Sequence, residues 1–359
     1  MSQVKDLEPF LVGPDTTIRE AIARIDRSAK GIILVVDGRR CLIGTVTDGD
    51  IRRKILEGVD MERTVEDLLL RASDSPYSRP VTISKGKGKG EALSLMRSKS
   101  IRHLPVLDDD GKVIDLLVLD DLIPTEPLAL RAVIMAGGKG IRLRPLTEDT
   151  PKPLLPVGDR PLLEHTIEQL KNSGISSVNI STHYRSEKII EHFGDGREFG
   201  VEINYVPEDQ PLGTAGALGL MDEVTEPSLV INGDILTRVD YRAMLKFHQE
   251  QGADLTVGVR IYDMEVPFGV VESNGPRVTG IREKPVQRIF VNAGIYMLES
   301  AVRRFIPRGD PYDMTDLIQN LIQEGMIVAN FPIVEYWLDI GSPAEYERAQ
   351  KDMENGGPE

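Results

Sequence analysis

The first 125 residues match themselves at a constant separation of 71 positions. Glu20-Ala21 recurs as Glu91-Ala92, Val35 as Val106, Asp37 as Asp108 and Asp50 as Asp121, with no gap. A repeat that holds register over such a span dictates two copies of one supersecondary unit. Each copy reads as a helix, an apolar strand (GIILVVD; IRHLPVLD), a turn, a second strand (CLIGTVTD; KVIDLLVLD) and a closing segment. Two such tandem copies predict an α+β pseudo-symmetric pair sharing one core over residues 1–125, with repeats at about 1–60 and 61–125.

A chain of 359 residues exceeds one hydrophobic core, so a second domain is expected. The segment IPTEPLALR, Ile123 to Arg131, interrupts periodicity with two prolines and reads as a linker. Beyond it, over 126–359, the pattern alternates between strand and helix. RAVIMA, SVNIST, VEINYVPE and PSLVINGD read as strands; PLLEHTIEQLKNSG and RSEKIIEHFG read as helices. That alternation predicts an α/β domain with a doubly wound, mostly parallel sheet. From Asp254 strands predominate, with a helix near Met314 to Gln323. Ser342 followed by Glu345 reads as a capping box opening a final helix.

The net charge of −14 argues against nucleic acid or an anionic membrane as partner. No apolar run approaches the roughly 20 residues of a membrane span. The start, MSQVKDLEPF, lacks the basic and apolar regions of a secretory leader, and the one cysteine, Cys41, excludes an intrachain disulfide. The expectation is a cytoplasmic protein.

Within this acidic chain, Ala136 to Thr147 holds no acid but does hold Lys139, Arg142 and Arg144. The loop follows an apolar strand and leads to Pro151-Lys152-Pro153. It is not a P-loop, because G-x-x-x-x-G-K-[ST] is absent. Nor is it a dinucleotide loop, because Leu143 stands where the third glycine belongs. Gly137 and Gly138 leave backbone N–H groups open to a triphosphate. Arg142 offers a planar fork to phosphate oxygens, and the flanking prolines stiffen the backbone that carries Lys152. Arg144 is read as either a phosphate ligand or an ion-pair partner. SKGKGKGE, Ser84 to Glu91, lacks a phosphate-loop context and reads as a flexible basic loop aligned with a helix entry in the first repeat. Asp234, just past an apolar strand in LVINGDI, and Asp339, in EYWLDIGSPAEY, are each weak signals alone. His165 and His248 lie on helical patterns and read as core or surface residues rather than site residues. No Ser-His-Asp or Cys-His pattern is present.

The stretch AGGKGIRLRPLT…TPKPLLPV resembles the signature of sugar-1-phosphate nucleotidyltransferases, with Ile141 where threonine is usual. The resemblance covers about Arg131 to Gln350 and implies a Rossmann-like nucleotidyltransferase fold. It implies transfer of a nucleotidyl group from an NTP to a sugar 1-phosphate, with Arg142 and Lys152 catalytic. Asp234 and Asp339 would hold Mg²⁺, and Ala136, Gly137, Gly138, Gly213 and Thr214 would bind the nucleotide. On the sugar-phosphate side it implies Gly269, Glu283, Lys284 and Asn292. The segments VPFGVV, REKP, FVNAGIYML and EYWLDIG most resemble glucosamine-1-phosphate guanylyltransferases of legionaminic-acid-type pathways. GTP is therefore favoured, with UTP left open. The chain stops at Glu359, so no appended β-helix acetyltransferase domain is expected.

The repeat pair, in GTVTDGDIRR and IRHLPVLDDDGKV, resembles a pair of cystathionine-β-synthase (CBS) domains. This implies an adenine or guanine nucleotide as effector, with Thr47, Asp50 and Asp121 as ligand residues, and a homo-oligomer. Val118 replaces the threonine in the second copy, which weakens that site. The rival functions are a nucleotide-binding regulator without chemistry and a glycosyltransferase. The latter calls for an Asp-x-Asp metal motif, which NGDI lacks.

Overall fold

The computed structural model describes residues 6–71, 80–123, 126–222 and 225–354. Pro124 and Thr125 of the expected linker lie outside them. The two repeats are built alike. The first has a helix (Ile18–Ser28), two antiparallel strands (Ile32–Val36, Leu42–Thr47) and a helix (Asp48–Leu56). The second has a helix (Lys89–Lys99), strands His103–Leu107 and Val113–Val118, and a short helix (Leu119–Leu122). Phe10, Leu11, Ile32, Leu34 and Val36 pack with Val113, Leu116 and Val118 of the other copy, so the repeats share a core. In the basic stretch Ser84 ends a short strand (Ile83–Ser84), the loop runs only from Lys85 to Gly88, and Lys89 opens the helix, where Glu91 suits the N-terminal dipole.

The second domain is built on a seven-stranded sheet. Its order is Glu202–Pro207, Ser177–Thr182, Arg131–Met135, Ser228–Asn232, Val286–Leu298, Leu255–Glu265, Val328–Pro332. Every neighbouring pair is parallel except the two made by Val286–Leu298. Alternate residues of each strand feed opposite cores. Ala132, Ile134, Leu229, Ile231, Ile295 and Met297 face one side, beneath helices Leu162–Asn172, Ser186–Phe193 and Tyr241–Gln251. Val133, Val230, Tyr296 and Leu298 face the other, against helix Met314–Gln323. Both faces are covered, as a buried parallel sheet requires.

Strand Val286–Leu298 is buried only from Ala293 onward; its first half pairs with the outer half of Leu255–Glu265. Strands Val270–Asn274 and Arg277–Arg282 form a hairpin between them. Among the described residues no helix is long and apolar enough to cross a membrane.

The two domains are joined by ion pairs and by apolar packing, with Val334 and Ile261 of the sheet domain lying against the core of the first repeat. Arg52, 5 % exposed, bonds Asp48 at 2.8 Å, the Pro332 carbonyl at 3.1 Å and the Glu335 carboxylate, and stacks on Phe331. Arg102 pairs with Asp240 at 2.9 Å, and Arg19 with Asp263 at 3.2 Å.

Candidate functional site

The C-terminal ends of strands Arg131–Met135 and Ser228–Asn232 open on a cavity of about 570 Å³. Open α/β sheets place ligands at such ends. Ala136, Gly137, Gly138, Lys139, Arg142, Lys152, Gly213, Thr214 and Asp234 all line it. Ala136 is buried, its amide bonded to the Ser181 carbonyl at 3.1 Å, while the space where a Gly138 side chain would stand is empty. Lys152 sits on a single turn opened by Pro151, and its Nζ reaches Asp234 Oδ2 at 2.6 Å. Arg144 is exposed and does not line the cavity.

Asp234 and Asp339, 105 residues apart in sequence, meet through a two-stranded ribbon. Ile235–Thr237 runs antiparallel to Trp337–Asp339 with Ile235 opposite Asp339, and the Ile340 amide donates to the Asp234 carbonyl at 2.9 Å. A side chain at Gly341 would stand 3.1 Å from the Arg142 guanidinium and 3.3 Å from both Asp339 Oδ1 and Glu345 Oε2. That glycine marks the point where the cation and the carboxylates converge. The expected capping box at Ser342 forms with a shift: Ser342 Oγ accepts from the Glu345 amide, but Glu345 accepts from Gly341.

Asp339 Oδ1 is buried with no hydrogen-bond partner. Burial and the neighbouring Asp234 push its carboxyl up to about 6, against the pull of Lys152 and Arg142. A buried carboxylate oxygen that the protein leaves unpartnered, beside a second carboxylate, is the donor set a hard divalent cation takes. No group of three or more metal-ligating side chains occurs among the described residues. Two carboxylates fit Mg²⁺, which leaves its other positions to phosphate and water.

Three further groups escaped the sequence reading. Glu208, 8 % exposed, accepts from the Leu212 amide at 2.9 Å through Oε2. Its Oε1 lies against Gly137, where a Cβ would fall 2.8 Å away. Ser181 Oγ and Asn232 Oδ1 also line the cavity, buried and without partners. All three sit at or next to strand ends, Asn232 as the last residue of its strand, Ser181 one before the end and Glu208 one beyond it, a signal visible only once the strand order is known.

Thr214 lines the cavity, but its hydroxyl donates to Asp313 at 3.2 Å and accepts from the Met314 amide at 2.8 Å. Gly213, at φ +78°, is packed against Asp313 and the Tyr312 carbonyl, so this turn is shaped by helix Met314–Gln323. Asn292 is exposed and does not line the cavity; its amide nitrogen donates to Tyr296 at 2.8 Å and its oxygen accepts from the Gly294 amide at 3.0 Å. Gly269, Glu283 and Lys284 are exposed at the base of the outer hairpin and do not line the cavity. His165 Nε2 donates to the Val157 carbonyl at 2.9 Å from a half-buried position, and His248 is fully buried beside Thr256.

A second cavity, of about 2000 Å³, lies between the repeat pair and the sheet domain. Thr47 and Asp50 line it, but they cap helix Asp48–Leu56 reciprocally, with Thr47 Oγ1 2.7 Å from Asp50 Oδ2. Asp121 instead pairs with Lys30 at 3.0 Å, outside the lining, and Val118 gives its helix no side-chain cap.

Residues 131–356 match the nucleotidyl transferase family, and residues 4–57 and 72–125 each match the CBS domain. A mannose-1-phosphate guanylyltransferase of Mycobacterium tuberculosis is 35% identical over 235 residues, 63% of this chain and 65% of that protein. A UTP–glucose-1-phosphate uridylyltransferase of Synechocystis is 33% identical over 242 residues, 61% of this chain and 62% of that protein. The chain thus spans less than two thirds of the length of these curated relatives. The crystal structure of HddC from Yersinia pseudotuberculosis matches with a TM-score of 0.50 at 26% identity, covering 62% of this chain and 99% of that one.

Proposed function

We propose that this chain, which belongs to the nucleotidyl transferase family and carries a pair of CBS domains, transfers a nucleotidyl group from a nucleoside triphosphate to a hexose 1-phosphate. The convergence of Arg142, Lys152 and Asp234 on one cavity, with Asp339 Oδ1 set against the cavity-lining Gly341, carries this reading. A sugar-phosphate oxygen bonds to the α-phosphorus while the α–β P–O bond breaks, and its electron pair leaves with pyrophosphate. The second pKa of a phosphate monoester is about 6, so the nucleophile is anionic at neutral pH and needs no general base. Catalysis is then alignment plus neutralisation of charge. Asp234 and Asp339 would hold Mg²⁺, which when bound neutralises charge on the α-phosphate and the departing pyrophosphate. Arg142 and Lys152 present fixed cations to the same oxygens.

GTP is the favoured donor. Glu208 is an ionisable acceptor in the wall beside Gly137. Guanine presents two adjacent donors, N1–H and the 2-amino group, which a carboxylate accepts in bidentate fashion. Uracil offers one N–H between two carbonyl oxygens, and those repel a carboxylate. The sugar is a hexose 1-phosphate, with glucosamine 1-phosphate and mannose 1-phosphate the first to try. The interdomain cavity lined by Thr47 and Asp50 supports an adenine or guanine nucleotide as effector of this activity.

Pyrophosphate release over a panel of GTP, UTP and dTTP against these sugar phosphates, repeated with AMP and ATP added, tests the reading. Mg²⁺-dependent release with GTP is expected; release that needs no sugar phosphate would overturn it.

A further inference from the structure

The ribbon that brings Asp234 and Asp339 together has a second end, and the CBS pair holds it. From Thr237 the first strand continues through Arg238 and Val239 to Asp240; the second strand, Trp337–Asp339, is entered from Glu335 and Tyr336. These ends are tied to each other. The Arg238 amide donates to the Tyr336 carbonyl at 3.0 Å, and the Asp240 amide to Glu335 Oε1 at 3.3 Å. Each end also carries a carboxylate gripped by an arginine, one from each CBS repeat. Arg52 takes Glu335, and Arg102 takes Asp240 at 2.9 Å. The metal-side carboxylates and the gripped carboxylates thus lie at opposite ends of the same short ribbon.

We propose that Arg52 and Arg102 are positioning residues for the carboxylates Asp234 and Asp339. The inference rests on the reading of those two as the cation pair. A two-stranded ribbon with three residues a side does not hold its own shape in water. Leu236, Leu338 and Ile340 anchor its middle in an apolar cluster with Leu143, Leu155 and Val157, and the two arginines fix the end away from Asp234 and Asp339. Replacing Arg52 leaves the buried Glu335 without its counter-charge, a strongly unfavourable state. Relief comes by protonation of Glu335 or by its movement towards solvent, and the movement drags Tyr336 and Trp337 and shifts Asp339 relative to Asp234. All four gripping and gripped residues, Arg52, Arg102, Asp240 and Glu335, line the large interdomain cavity. Whatever enters it bears on the catalytic carboxylates by this path.

The test is titration of the full chain with Mn²⁺ alone, reading free metal by electron paramagnetic resonance, together with amide hydrogen exchange across 335–340. Arg52→Met and Arg102→Met each weaken Mn²⁺ binding by roughly 10-fold, the effect of losing an outer-shell support, and speed exchange at the Ile340 amide. Arg19→Met, which breaks a contact between the same domains away from the ribbon, leaves both readings at wild-type values. Should Arg52→Met fail to fold, Arg102→Met, whose side chain is 37% exposed, carries the test. Wild-type Mn²⁺ affinity in Arg102→Met, when Asp339→Asn abolishes binding, overturns this inference alone. Mn²⁺ binding that survives in Asp339→Asn overturns the cation-pair reading and this inference with it.

Discussion

The ammonium of Lys152 lies 2.6 Å from Oδ2 of Asp234, so the cation on the stiff Pro-Lys-Pro turn and the carboxylate at the end of a central strand form one unit. The lysine holds Asp234 in place and remains at the cavity wall, where a phosphate oxygen can compete for it. Lys152→Ala removes the cation that the proposed mechanism sets at the reacting phosphorus. It is expected to lower kcat by roughly 10²–10³, with Lys152→Arg failing to restore it because the guanidinium is planar and wider. Steady-state kinetics of the three proteins check this.

Asp339 yields a pH-dependent stability difference. Its carboxyl is raised to about 6 by burial and by Asp234. A carboxyl raised above its unfolded value contributes stability at low pH that is lost as pH rises through the folded value. Metal-free Asp339→Asn, which has no such loss, should therefore melt above the wild type at pH 8. The gap should shrink as pH falls from 6 towards 4. Thermal melts in the presence of a chelator measure it; a gap that grows on acidification contradicts the assignment.

Glu208→Gln tests base choice. The amide keeps an acceptor for the Leu212 N–H but replaces an ionic acceptor in the cavity wall. A hydrogen bond to a charged group is worth about 1.5–3 kcal/mol, so kcat/KM for GTP should drop by roughly 10–100-fold. The value for UTP should change little or rise.

Thr214→Val separates scaffold from ligand contact. Because the hydroxyl already serves Asp313 and the Met314 amide, the substitution should cost about 1 kcal/mol of stability. The KM for the nucleotide should stay within about twofold, which the same 1 kcal/mol scale makes easy to distinguish. A large rise in KM at unchanged stability would restore Thr214 as a base contact.

Much of this was legible in the sequence, for physical reasons. The 71-residue repeat set the paired CBS architecture because identical units must fold alike. The loop from Ala136 through Lys152 lines the cavity at the strand ends, as adjacent glycines, a guanidinium and a braced lysine suggested. What stayed hidden depends on strand order. Glu208 and Asn232 fall in segments read only as strands, and nothing singles them out until strands Arg131–Met135, Ser177–Thr182, Glu202–Pro207 and Ser228–Asn232 are set side by side. The same holds for Thr214, whose hydroxyl partner Asp313 is 99 residues away. Gly269, Glu283 and Lys284 follow their motif, yet the outer hairpin keeps them clear of the cavity. The grip of Arg52 on Glu335 spans 283 residues and leaves no local signature at all.

The most direct test of the central claim is ³¹P NMR of the purified chain with GTP, Mg²⁺ and a hexose 1-phosphate. Nucleotidyl transfer predicts the coupled resonances of a pyrophosphate diester appearing together with inorganic pyrophosphate, and neither without the sugar phosphate. Appearance of GMP, GDP or orthophosphate in place of the diester would contradict it.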